Sequence, residues 1–243
     1  MTRFTFKRLV ALILFISTTA CGATDITLHG KTPSEVFKDP KVEALIKAVY
    51  AGDMNSAKQL MRDGADINAL GTFGITPLLW AETSLQPAAM QRMLELGANP
   101  DLSGNPGPDG EGLPPPVLLA AGSGQVALLR ILLEKKANPN IVESGISPMT
   151  AAMRKGCLEC AELLLQYGAD VNLPADHVTP FGAAAVHGRY DLTIWLLKHG
   201  YRKDLERHQR AIKRLKHLAV TPEQIRLRDE TLRLIDEKLA RPN

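Results

Sequence analysis

A chain of 243 residues has room for one or two domains. Aromatic residues make up 5% and charged residues 23%, which fits a helical protein better than a β-sandwich. A formal net charge of +3 supplies no strong field for nucleic acid, and three cysteines are too few for a scaffold built on disulfides.

The chain opens with Arg3, Lys7 and Arg8, then the apolar run 9–16, then Ser17, Thr18, Thr19 and Ala20. That run suits a secretory signal and falls well short of the roughly 20 residues that span a bilayer. The layout is that of an export signal over 1–20, with Cys21 placed to become the new N-terminus. Thr19-Ala20-Cys21 resembles the end of a bacterial lipoprotein signal, although Thr18 stands where that family usually has Leu. The resemblance implies a diacylglycerol thioether on Cys21, cleavage before it, and N-acylation. Several acyl chains would hold far more firmly than one myristoyl chain. Gly22 in place of Asp resembles an outer-membrane address, so the expected location is the periplasm, lipid-anchored. The other reading is an ordinary secretory signal with an incidental cysteine. Residues 21–40 have no helical period, carry Gly30, Pro33 and Pro40, and read as a tether with at most one turn at 34–37.

From residue 41 the chain repeats itself. Segments 76–101 (TPLLWAETSLQPAAMQRMLELGANPD), 115–140, 147–172 and 179–204 share one pattern, and 43–68 is a fifth. Pro77, Pro116, Pro148 and Pro180 each stand 20 residues before Gly97, Lys136, Gly168 and Gly200. Gly124, Gly156 and Gly188 follow their Pro by eight, while Leu85 breaks that rule in the second repeat. Thr-Pro starts a helix where the missing N–H costs nothing, and the first Gly ends it. A second helix follows with apolar residues at i, i+3, i+4 and i+7, closed by a left-handed Gly. Alone, no such helix pair can bury its apolar face, so neighbours must stack.

These residues resemble the ankyrin repeat, over 41–204. The resemblance implies an all-α solenoid of about five helix pairs that binds protein, with residues 205–243 as a C-terminal helical cap. The histidine usual two residues after Pro is replaced by Leu79, Leu118, Thr150 and Gly182, so packing is expected to outweigh polar ties between repeats. Glu82 and Met153 replace a small residue, and Leu85 is expected to distort its turn. Pro77 to Pro116 spans 39 residues instead of 32, which lengthens a Gly/Pro-rich connection over 103–115. It is either a partner contact, through Asp109 and Glu111, or a tolerated insertion.

Past Gly200 the pattern fails. Leu205, Ile212, Leu215 and Leu218 keep helical spacing, Thr221-Pro222 starts another helix, and Ile225, Leu232, Ile235 and Leu239 follow. The surplus of Lys and Arg here suits an anionic partner, or the polar outside of a capping unit; the capping reading is preferred.

Chemistry is sparse. Cys157-Leu-Glu-Cys160 sits at a repeat-helix start without the strand context of a redox motif or a second pair for zinc. Two reduced cysteines and a local disulfide both remain open. The six histidines show no metal spacing, and Asp66, Asp101 and Asp170 repeat as structural positions. No catalytic motif, cofactor or metal site is expected, and the chain reads as a binding protein, not an enzyme.

The repeat register implies partner contacts at Tyr50, Thr83, Arg154, Lys155 and His187 on the first helices. At the tips it implies Leu70, Phe73, Val142, Glu143, Asp176 and His177, with Phe73 as the aromatic anchor. A lipid-tethered periplasmic binding solenoid resembles the immunity lipoproteins paired with type VI secretion effectors, some of them ankyrin proteins opposing phospholipase toxins. That resemblance implies one-to-one neutralisation of a lipase-type effector, with the membrane engaged through the lipid and nucleic acid uninvolved. The alternative is a native periplasmic ankyrin scaffold supporting a resident enzyme or a stress response.

Overall fold

The protein is described from a computed structural model over residues 30–104, 113–173, 178–215, 219 and 221–240, apart from the side chain of Phe73. Among these residues there are thirteen α-helices and one isolated β-bridge, Glu143–Ile146. This is an all-α ankyrin-repeat fold. The chain divides into two compact units, residues 1–116 and 117–243.

Unit 1 contains α1 (Pro33–Val36), α2 (Pro40–Ala51), α3 (Met54–Arg62), α4 (Pro77–Thr83) and α5 (Pro87–Glu95). Helices α2 and α3 form one pair, α4 and α5 the next, and α5 packs against α2. Asp39 and Thr76 cap α2 and α4 by accepting from the N–H groups of Lys41 (2.8 Å) and Leu79 (3.1 Å). The tether reading of 21–40 is corrected at its C-terminal end. Val36 and Phe37 are buried, and Phe37 lies edge-on to Trp80 with ring centroids 6.0 Å apart. Gly71 permits this, because a Cβ there would meet Val36 at 2.7 Å. Val36, at the end of α1, and Phe37, just after it, thus join the core beside α4 and the turn at Gly71.

Unit 2 contains α6 (Pro116–Ser123, opening on the boundary), α7 (Val126–Glu134), α8 (Pro148–Lys155), α9 (Leu158–Gln166), α10 (Pro180–Val186), α11 (Tyr190–Lys198), α12 (Leu205–Arg214) and α13 (Pro222–Ala240). Ser147 and Thr179 cap α8 and α10 through the N–H groups of Thr150 (3.2 Å) and Gly182 (3.0 Å). First helices stack on first helices (α8, α10, α12), and second on second (α7 on α9, α11 on α13). The capping segment is therefore a sixth helix pair in repeat register. Its α13 buries Thr231 and Ile235, while Ile225 and Leu239 of the predicted apolar stripe are 39% exposed. Thr231 and Thr193 share a buried hydroxyl–hydroxyl bond of 2.9 Å across α11 and α13.

Polar ties between repeats are more numerous than the missing histidine suggests. Asn68 accepts from the Asn99 N–H at 2.8 Å. Asn140 accepts from Asp170 N–H (2.7 Å) and donates to Gly168 O (2.9 Å). Asn172 does the same with Arg202 N–H (2.8 Å) and Gly200 O (3.0 Å). Each asparagine clips its repeat to the next. The acceptor two residues before each clip is Asp66, Asn138 or Asp170. In the second repeat that acceptor is Asn99, two residues before Asp101, which corrects the grouping of Asp101 with Asp66 and Asp170.

The turn at Leu85 is not distorted. Leu85 takes the left-handed backbone of the glycine it replaces (φ +53°), and Lys136 does likewise (φ +65°). The departure from the repeat pattern is absorbed as backbone strain. Met153 is accommodated in full burial. Glu82 is also buried, yet neither carboxylate oxygen finds a hydrogen bond. Desolvation holds its carboxyl well above the usual range, so it keeps its proton to higher pH than an ordinary glutamate.

Candidate protein-binding surface

The end of each first helix is where the predicted contacts fall, and the two units present it differently. In unit 1, Tyr50 lies half-buried in the last turn of α2, with its hydroxyl enclosed beside Ser84. Burial pushes that hydroxyl up to about 12. Thr83, at the same place on α4, donates its hydroxyl back to Leu79 O at 2.7 Å. Both were expected to face solvent; both are half-buried, with the Tyr50 hydroxyl enclosed and the Thr83 hydroxyl donating within its own helix. Leu70 is 50% exposed at the following turn.

In unit 2 the corresponding places are more open. Lys155 is exposed, its alkyl stem lying over Gly124, where an added Cβ would meet it at 3.2 Å. Arg154 is half-buried, and desolvation lowers its pKa. His187 caps α10 and is exposed. Beside it Val186 is 59% exposed, at the position 32 residues after Arg154. Sequence reading missed Val186, although that spacing is the signal that finds it. Val142 is 40% exposed on the turn that Glu143 and Ile146 close with two backbone bonds of 3.1 and 2.9 Å. Cys21, Asp109, Glu111, Asp176, His177 and the Phe73 side chain lie outside the described residues. The long connection that carries Asp109 and Glu111 has its two ends tied by Gly104 N–H to Leu113 O at 2.8 Å.

Cys157 and Cys160 are joined as a disulfide across the first turn of α9, with Cα atoms 5.3 Å apart. Cys160 is fully buried and Cys157 is the helix N-cap. Among the described residues no cluster of His, Cys, Asp or Glu could hold a metal ion, and no helix is long and apolar enough to cross a membrane.

One buried group was not anticipated. His208, on α12, bonds through Nε2 to Thr179 Oγ1 (3.1 Å) and Tyr201 Oη (3.0 Å), and its ring lies 4.6 Å from Phe181. It lies against Gly182, where an added Cβ would make an ordinary 3.5 Å contact with the imidazole. The next helix pair thus supplies an imidazole to a repeat that lacks its own. Burial lowers the His208 pKa to about 4, so the ring is neutral.

Residues 117–207 match the family model described as ankyrin repeats (3 copies). Among curated proteins, the chain is 28% identical over 141 residues to "Ankyrin repeat, SAM and basic leucine zipper domain-containing protein 1" of Ornithorhynchus anatinus, covering 55% of this chain and 28% of that one. It is 32% identical over 122 residues to "Ankyrin repeat domain-containing protein SAT10" of Stachybotrys chartarum, covering 50% and 6%. It is 32% identical over 81 residues to "Mitochondrial disaggregase" of Homo sapiens, covering 33% and 11%. The chain spans no more than 28% of the length of these relatives. The chain carries ankyrin repeats, which indicate a protein–protein interaction scaffold.

Proposed function

We propose that this chain is a lipid-anchored periplasmic protein whose repeats bind and neutralise a secreted antibacterial effector of the lipase type. The observation that carries the reading is a conjunction. A stack of ankyrin repeats follows an export layout that ends in Thr19-Ala20-Cys21. A binding scaffold held by lipid on Cys21 stays where incoming proteins pass. Neutralisation then needs no chemistry of its own: a stoichiometric clasp over the effector's active-site mouth, or over its approach to the bilayer, suffices. The absence of a catalytic motif from the sequence is consistent with that economy.

The test is capture from the envelope of the host with type VI secretion active, using the full chain as bait and mass spectrometry as readout. A lipase-like toxin recovered one-to-one is the expected result. A resident periplasmic enzyme would replace this reading with that of a native scaffold. Labelling with a radioactive fatty acid tests the anchor separately, with label expected on the wild type and lost in Cys21→Ser.

A further inference from the structure

Charge in unit 2 is sorted by layer. The first helices α8, α10 and α12 carry Arg154, Lys155, Arg207, Arg210, Lys213 and Arg214 against the lone carboxylate Glu206. Helix α6 carries no charged residue. The second helices reverse the balance: α7, α9, α11 and α13 together hold nine carboxylates and six cations. Five of the six first-helix cations are exposed, Arg154 being half-buried.

Pairing differs between the layers as well. On α13 the arginines are neutralised locally: Arg226 by Glu223 (2.7 Å), Arg228 by Asp229 (2.6 Å), and Arg233 by Glu230 (2.7 Å) and Glu237. On α12 the corresponding contact is Arg210 to Glu206, at 3.7 Å. The apolar side of α12, Leu205 and Ile212, is spent on the core, so its cations stand on a face with nothing to insert into a bilayer. Helix α10, which packs on α12, ends in the exposed Val186 and His187, so the cation-rich layer also carries one apolar foothold.

We infer that the first-helix layer of unit 2 docks an acidic protein surface, one rich in Asp and Glu around a small apolar contact. The inference rests on the proposed binding role and specifies the chemistry of the partner. One-signed charge on one layer steers an oppositely charged partner to it, and the mixed-sign second layer does not compete. Association is therefore fast at low salt and weakens as salt screens the layer.

The probe is poly-L-glutamate, titrated by calorimetry into the purified full chain in detergent at low and at high salt. Lys155→Glu with Arg214→Glu reverses two exposed charges on the first layer. Arg130→Glu with Lys198→Glu makes the same net change on the second layer. The first pair is expected to weaken binding at least tenfold, and the second pair less than twofold. Equal losses would overturn the assignment to a layer. Vesicles of phosphatidylglycerol and phosphatidylethanolamine are the second probe. If they bind more tightly than polyglutamate, with the same dependence on Lys155 and Arg214, the surface is a membrane contact and the inference fails. The two variants are also used as bait in the envelope capture. A partner held equally by both sinks this inference and leaves the binding role standing, whereas no protein partner for the wild type sinks the binding role itself.

Discussion

Two buried ionisable side chains, one in each unit, meet the same problem in opposite ways. Glu82 in the second repeat is enclosed with neither oxygen hydrogen-bonded. His208 in the C-terminal pair is enclosed with Nε2 shared between Thr179 and Tyr201. Both are forced into their neutral forms by burial. The histidine, however, is integrated into a contact that joins two repeats, whereas the glutamate occupies a site that a small residue would fill without cost. An intruding polar group is tolerated or exploited according to whether its neighbours supply a partner.

The largest expected effect comes from dismantling the partnered side. Phe181→Ala removes the ring against which His208 and Tyr201 lie (centroids 4.6 and 5.2 Å) and opens a cavity at the junction. Unit 2 should lose about 3–5 kcal/mol, read by chemical denaturation. A loss below about 1 kcal/mol would mean that the C-terminal pair is held without this cluster.

The unpartnered side should respond in the other direction. Glu82→Ala restores a small residue and is expected to stabilise unit 1 by about 1–3 kcal/mol at neutral pH, the usual cost of a buried polar group without a bond. The folded pKa is raised, so the folded state keeps a proton that the unfolded chain has released. The wild type thus loses stability as pH rises from the ordinary carboxylate range towards that raised value. The advantage of Glu82→Ala should shrink on acidification to pH 4, and an advantage independent of pH would contradict neutral burial.

His208 predicts the mirror image. Its folded pKa is about 4 against 6.5 when unfolded, so its contribution is intact above 6.5 and declines as pH falls from there through 4. Hydrogen exchange of the α10 and α12 amides should accelerate over that window. His208→Gln should remove this pH dependence, and an unchanged profile would assign the acid sensitivity elsewhere. The smallest effect concerns backbone alone. Leu85→Gly and Lys136→Gly each relieve a left-handed non-glycine residue and should raise stability by about 1 kcal/mol or less, visible as a small increase in Tm.

The contrast between the two groups also marks how far the sequence could be read. The helix pairs were legible because Thr-Pro starts and left-handed glycines recur at fixed intervals, a purely local signal. Phe37 was not, because a lone aromatic after one turn gives no period and its burial depends on Trp80 and Gly71, more than 30 residues away. His208 was invisible for the same reason: its partners Thr179 and Phe181 belong to another repeat. Along the first helices, spacing places Tyr50, Thr83, Arg154 and Lys155 in the last turns, but it does not tell that the Tyr50 hydroxyl is enclosed and that Thr83 bonds back to its own helix. Position along a helix is written in the spacing; direction of a polar group is decided by neighbours.

The bond from Gly104 to Leu113 has a practical side. It ties residue 104 to residue 113, so the two ends of the long connection are held together. Exchanging that stretch leaves the spacing of the asparagine clips untouched, and doubling its length adds only about 0.6 kcal/mol of closure cost. Natural drift and deliberate grafting face the same low barrier there. A repeat scaffold can therefore vary this one stretch of sequence while its helix pairs stay as they are.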